Sequence, residues 1–118
     1  MYTGSMRAAS NRVDWSWSMT IKNRLTGEPI DLTGASFELA IGDQNSKSNL
    51  LEASTTDGRI TTNTPATDGV FTVLVPKAAM KVLEADQYDI GVIVTLASGR
   101  SYQLIKAVLA VNEGVAGR

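Results

Sequence analysis

Few side chains in this sequence can do chemistry. Among its 118 residues there is no histidine and no cysteine. Without imidazole the chain lacks the commonest general base near neutral pH, and with it every Ser-His-Asp or Cys-His arrangement. Without thiols there are no disulfides, thiolate nucleophiles or thiolate metal centres. Zinc normally takes His or Cys and is not expected, and neither is any cofactor. Calcium or magnesium held by carboxylates alone stays open. The remaining route to catalysis is a carboxylate pair, and Asp86 with Asp89, or Asp14 with Asp31, are the pairs that could converge as acid and base. Yet the aspartates sit mostly beside Gly, Ser, Thr or Asn, where Asp builds turns. A chain of this length leaves little room for a catalytic cleft, and we expect no enzyme.

Three other patterns have a chemical reading and a plainer one. Trp15 and Trp17 could stack on a sugar ring or anchor a partner, but Val13, Met19 and Ile21 share their phase, which makes this a core face with one Trp at most near a sheet edge. Asp43-Gln44-Asn45-Ser46 starts like a calcium loop, then lacks glycine at the sixth position and glutamate at the twelfth, and reads as a solvated loop. Gly27, Gly34, Gly58, Gly69 and Gly99 are separate turn markers, none spaced to cradle a phosphate before a helix.

The elements that must position these residues are strands. Val13, Trp15, Trp17, Met19 and Ile21 alternate with polar residues, which puts one face of a strand in a core. Ile30 to Gly34 reads as an extended corner. Further strands are expected over 35–41, 50–55, 60–63, 70–75, 88–96 and 101–111, with Asp57-Gly58 and Ser98-Gly99 as turns. In the last strand Tyr102 and Leu104 follow one phase while Leu109 and Val111 follow the other, and a bulge near 105–107 would reconcile them. Lys77 to Leu83 is the single helical-looking stretch, about two turns. Residues 1–12 have no periodic pattern and read as a flexible arm, with one domain over 13–118. The expected fold is all-β, an immunoglobulin-like β-sandwich of about seven short strands with one short helix.

Charge narrows the partners. Eleven basic and twelve acidic residues leave a net charge of −1 without like-charge runs. A nucleic-acid face or a polybasic membrane patch would need a basic excess, so neither partner is expected. No stretch reaches the roughly 18 apolar residues of a membrane span. The N-terminus does not read as a signal peptide, which points to synthesis and folding in a cytoplasm.

The order of motifs resembles a group of small virion proteins of tailed bacteriophages. It runs Asp14-Trp15-Ser16-Trp17, then Gly27-Glu28-Pro29-Ile30-Asp31-Leu32-Thr33-Gly34-Ala35, Asp57-Gly58-Arg59-Ile60, Val75-Pro76, Tyr88-Asp89-Ile90, Ser98-Gly99 and Gly114-Val115. The resemblance covers the chain from Val13 onward and departs from the family at Ala116, where Thr is usual. It implies an immunoglobulin-like fold and a non-enzymatic structural or adaptor role at a tail tip, baseplate or fibre attachment. Capsid decoration or carbohydrate and receptor binding are the alternatives. It further implies a virion location after assembly in the host cytoplasm, other virion proteins as partners, and a homo-oligomer, trimer or hexamer. Tyr2, Met6, Arg7 and Arg12, on the unpatterned arm, are the expected partner contacts.

Overall fold

The alternation in the sequence becomes two packed sheets in a computed structural model, which describes residues 2–5, 8–23, 25–46 and 48–112, the first four through their backbone. The elements are β1 (Tyr2–Ser5), β2 (Ala9–Ser10), β3 (Trp15–Thr20), β4 (Ser36–Asp43), β5 (Asn49–Ser54), β6 (Ile60–Thr62), β7 (Val70–Val75), α1 (Lys77–Met80), β8 (Asp86–Thr95) and β9 (Ser101–Asn112). The large sheet runs β1-β9-β8-β4-β5, with β2 also on β9, and the small sheet runs β3-β7-β6. This is an all-β, immunoglobulin-like sandwich, and β3 to β9 are the seven strands expected from the sequence.

The core is the set of inward phases. Phe37, Leu39 and Ile41 on β4, Ile90, Val92 and Val94 on β8, and Phe71, Val73 and Val75 on β7 are all at most 2% exposed. Phe37 stacks on Phe71 across the two sheets, with ring centres 4.5 Å apart. Trp17 meets Phe71 edge-on and Trp15 tilts against Trp17, each at 5.8 Å. The bland reading of the tryptophans therefore holds: both are half-buried and packed on the core.

Residues 1–12 were read as a free arm, and here the structure differs. Tyr2–Ser5 pairs in parallel with Ile105–Val108, and Ala9–Ser10 with Val111–Asn112. Ala9 and Asn11 are buried, and the Asn11 amide donates to the Leu83 carbonyl at 2.9 Å. The sequence hid this because an edge strand is held by backbone hydrogen bonds, which by themselves impose no alternation of side chains. The bulge in β9 also moves: Val92 faces Ile105 and Ile93 faces Gln103, so the extra residue is Leu104, one position before the expected stretch. The helix is shorter than its pattern, a single turn, although Met80 and Leu83 are both fully buried as the i, i+3 spacing required.

Tyr88, at the start of β8, fixes the corner between β7 and β8. Its hydroxyl donates to the Glu84 carbonyl at 2.6 Å, the tyrosine corner of immunoglobulin-like sandwiches. Burial first, then the carboxylates of Asp86, Glu84 and Asp43, push this phenol above its ordinary value of 10.0. A folded pKa above the unfolded one means full stability below pH 10.0, lost as pH rises through the folded value. Tyr88→Phe is expected to cost about 1 kcal/mol, or about 4 °C in melting temperature, and to flatten the alkaline limb of stability against pH. Thermal melts from pH 7 to above pH 11 check both.

Candidate functional site

The structure first disperses the carboxylate pairs. Asp86 and Asp89 are three residues apart on one strand, so they point to opposite faces. Asp14 accepts a hydrogen bond from the Lys77 N–H at 2.7 Å, which fixes the entry to α1. Asp31 accepts from the Thr33 N–H at 2.9 Å and the Thr33 hydroxyl at 2.6 Å, and both bonds hold its pKa below the ordinary 3.8. Asp43 caps its own loop, accepting from the N–H groups of Asn45 and Ser46, so the calcium-like run is a self-closed turn. Asp57 does the same for Ser54 and Arg59. Among the described residues no three acidic side chains are grouped closely enough to hold a metal ion.

What the fold does build is a concave outer face on the large sheet. The rows across the sheet are set by pairing: Glu52 on β5, Ala40 on β4, Gly91 on β8 and Lys106 on β9 stand side by side. The row above reads Ser54, Glu38, Ile93 and Gln103, and the row below Asn49, Gly42, Asp89 and Val108. Ala40, Gly42 and Gly91 occupy the outward phase with almost no side chain. They form a floor between taller walls of Asn49 and Glu52 on one side and Gln103 and Lys106 on the other. Neighbouring strands are about 4.8 Å apart, so the walls stand roughly 14 Å from one another. Two adjoining depressions share this floor, of ≈ 580 Å³ towards Lys106 and ≈ 470 Å³ towards Asp57. Of the acidic rim, Asp89 accepts from the Gln44 amide and Glu52 from the Asn49 amide, each at 3.3 Å. Among the described residues lining it, Glu38, Asp43, Glu52, Asp57 and Asp89 surround Lys106, so the described part of the face is acidic.

Ser54 and Asp57 line this face, and each side chain accepts a hydrogen bond from the other's backbone N–H, so the two close a turn. Gly42, Asp43 and Asn49 line one end of the rim, whereas Trp15 and Trp17 lie on the other sheet and pack on the core. The tryptophans that could have stacked on a sugar ring are therefore not on this face. The Trp17 indole nitrogen is itself buried and presents no donor to a ligand. Of the expected partner contacts, Arg12 is half-buried, with its backbone N–H on the Ser10 hydroxyl at 3.2 Å. Met6, Arg7 and the Tyr2 side chain lie outside the described residues. Sequence reasoning passed over Ala40, Gly91, Gln103 and Lys106. The available signal was small residues in the outward phase, where a strand normally carries polar ones.

No family model matches the chain, and no curated protein matches it. Among solved structures it is similar to the fibronectin(III)-like modules of Clostridium thermocellum CbhA, at 15% identity and a TM-score of 0.45, over 92% of this chain and 42% of that one. It is also similar to CopC from Methylosinus trichosporium OB3b, at 10% identity and a TM-score of 0.48, over 90% of this chain and 84% of that one.

The Asp31 carboxyl is expected to titrate below 3.8 and to move up in Thr33→Val, which removes one of its two hydrogen bonds. Because the folded value is the lower one, its stabilising effect is present above the unfolded pKa and disappears as pH falls through the folded one. A carboxyl-detected NMR titration of both proteins measures this directly.

Proposed function

We propose that this chain is a non-enzymatic structural or adaptor protein that works by protein–protein assembly, in a tailed-phage virion of the kind its sequence resembles. The observation that carries the reading is the bare-floored outer face of the large sheet. It is broad, shallow and, over its described residues, acidic. Of the aspartates that could have supplied catalysis, Asp14 holds a helix entry and Asp31 a turn, while Asp86 and Asp89 point to opposite faces of β8. A floor of Ala40, Gly42 and Gly91 lets the backbone of a partner approach the sheet closely. The acidic rim favours a partner with basic side chains.

The test is binding to virion structural proteins together with oligomeric state by light scattering. Deleting residues 1–12 is a poor probe, because it removes the buried Asn11–Leu83 hydrogen bond along with β1 and β2. Gly91→Leu is a better one. A Cβ at Gly91 meets nothing closer than 3.7 Å, so the fold accepts the side chain while the floor of the face is filled. Gly91→Leu is expected to weaken partner binding at least tenfold with an unchanged circular dichroism spectrum, and added salt to weaken binding of the parent chain. A chain that stays a monodisperse monomer at high concentration and binds no virion protein overturns the proposal. Saturable glycan binding at the same face redirects it to carbohydrate recognition.

A further inference from the structure

The small sheet has an edge that the fold leaves unguarded. The pairing geometry says which groups of β3 reach it. Ile21 donates to the Gly69 carbonyl, and Ile21 and Gly69 continue the β3–β7 register, so odd residues of β3 direct their backbone N–H and C=O at β7. The other side of β7 agrees: Leu74 donates to Arg59, and Val70 accepts from Asn63, so even residues of β7 serve β6. The Lys22–Pro29 bridge also lies on the β7 side, because Ile30 donates to the Ile21 carbonyl and Asn23 to that of Glu28. Ser16, Ser18 and Thr20 therefore point their backbone N–H and C=O outward. Among the described residues these groups have no backbone partner.

Sandwich proteins usually blunt such an edge with a charge, a proline, a bulge or shortness. The neighbouring edges show these devices. The β6 strand is three residues long, between Arg59 and Pro65, and β5 carries Glu52 and an irregularity at Leu50. Over Trp15-Ser16-Trp17-Ser18-Met19-Thr20 there is none. Its inward residues Trp15, Trp17 and Met19 are only half-buried, because no strand flanks them. The nearest charges lie beyond its two ends, as exposed Asp14 and exposed Lys22, both in the outward phase.

We propose that β3 pairs antiparallel with β3 of a second copy, in the register centred on Ser18. This deepens the assembly reading and rests on it. The register sets Ser18 against the second copy's Ser18, and Ser16 against its Thr20, giving about six backbone hydrogen bonds. Trp17 meets the second copy's Met19, which covers both half-exposed flanks. At each end Lys22 faces the second copy's Asp14. The positions of opposite charge, equidistant from Ser18, select a second copy with two-fold symmetry over an unrelated strand. Such a contact closes a dimer and, combined with a three-fold axis, a hexamer.

Because the chain has no cysteine, single-cysteine variants read the register directly. Opposed residues of a hydrogen-bonded pair stand about 5.5 Å apart at Cα, within disulfide range. Ser18→Cys is expected to oxidise to a covalent dimer under conditions where Ser98→Cys, in an exposed turn, does not. Ser18→Lys opposes two ammonium groups and is expected to raise the dimer dissociation constant roughly tenfold or more, with an unchanged circular dichroism spectrum. In the unmodified protein, hydrogen exchange at the amides of Ser16, Ser18 and Thr20 should slow as concentration rises. Concentration-independent exchange at these amides, with no preferential Ser18→Cys dimer, overturns the pairing. If the protein is then still oligomeric or still binds virion proteins, the assembly reading stands. If those amides become protected only when a different protein is added, the edge serves a foreign strand and the second-copy assignment fails.

Discussion

The stack of Phe37 on Phe71 joins the two sheets, and much of the rest follows from it. It is the shortest ring contact in the core, and Trp17 and Trp15 extend it to the flank of β3. Once that chain of rings is inside, period two decides the other face of every strand they sit on. Ser16, Ser18 and Thr20 must point out from β3, and Ser36, Glu38 and Ala40 from β4. A slip of one residue would bury serine and expose tryptophan in β3, and bury Glu38 and expose Phe37 in β4, so the register is strongly specified. The free surfaces of this protein are consequences of what the core demands.

The N-terminal segment completes that arrangement. Residues 9–12 run beside the end of β9, and the Asn11 amide reaches the Leu83 carbonyl, just past α1. That turn is already held by Asp14 at the Lys77 N–H and by the Tyr88 hydroxyl at Glu84. Three side chains, Asn11 and Asp14 from one segment and Tyr88 from another, thus satisfy backbone groups around one corner. Among the described residues, the N-terminal strands lie on β9 in the large sheet and no strand lies on the outer side of β3 in the small one. The same choice that closes the large sheet opens the small sheet's edge.

The strands from β3 to β9 were legible because each carries at least one face in deep contact with the core, and burial writes alternation into sequence. The alternation of Tyr88, Ile90, Val92 and Val94 is an example. β1 and β2 were not legible, since backbone pairing at an edge constrains side chains weakly. The change of phase in β9 revealed that a bulge exists but not its position, because Leu104 and Ile105 are both apolar. The carboxylates were legible as turn formers, and Asp31, Asp43 and Asp57 do hold turns. The outer face was harder to see. Ala40 and Gly91 are distant in sequence and become one floor only when β4 and β8 pair, so pairing had to be known first.

The two surfaces are also related to each other. A two-fold axis through Ser18, normal to the small sheet, joins the small sheets edge to edge and leaves both large sheets on the same side. Their outer faces then point the same way, since each lies on the far side of its sandwich from the seam. Edge pairing therefore covers nothing on the acidic face, and it presents that face twice. Two weak sites held in fixed relation bind a repetitive partner far more tightly than either alone, provided the spacing of the repeat matches. A domain with a shallow, bare-floored face has little else with which to raise its affinity. In this fold, committing the N-terminal strands to the large sheet is what makes such bivalent presentation available.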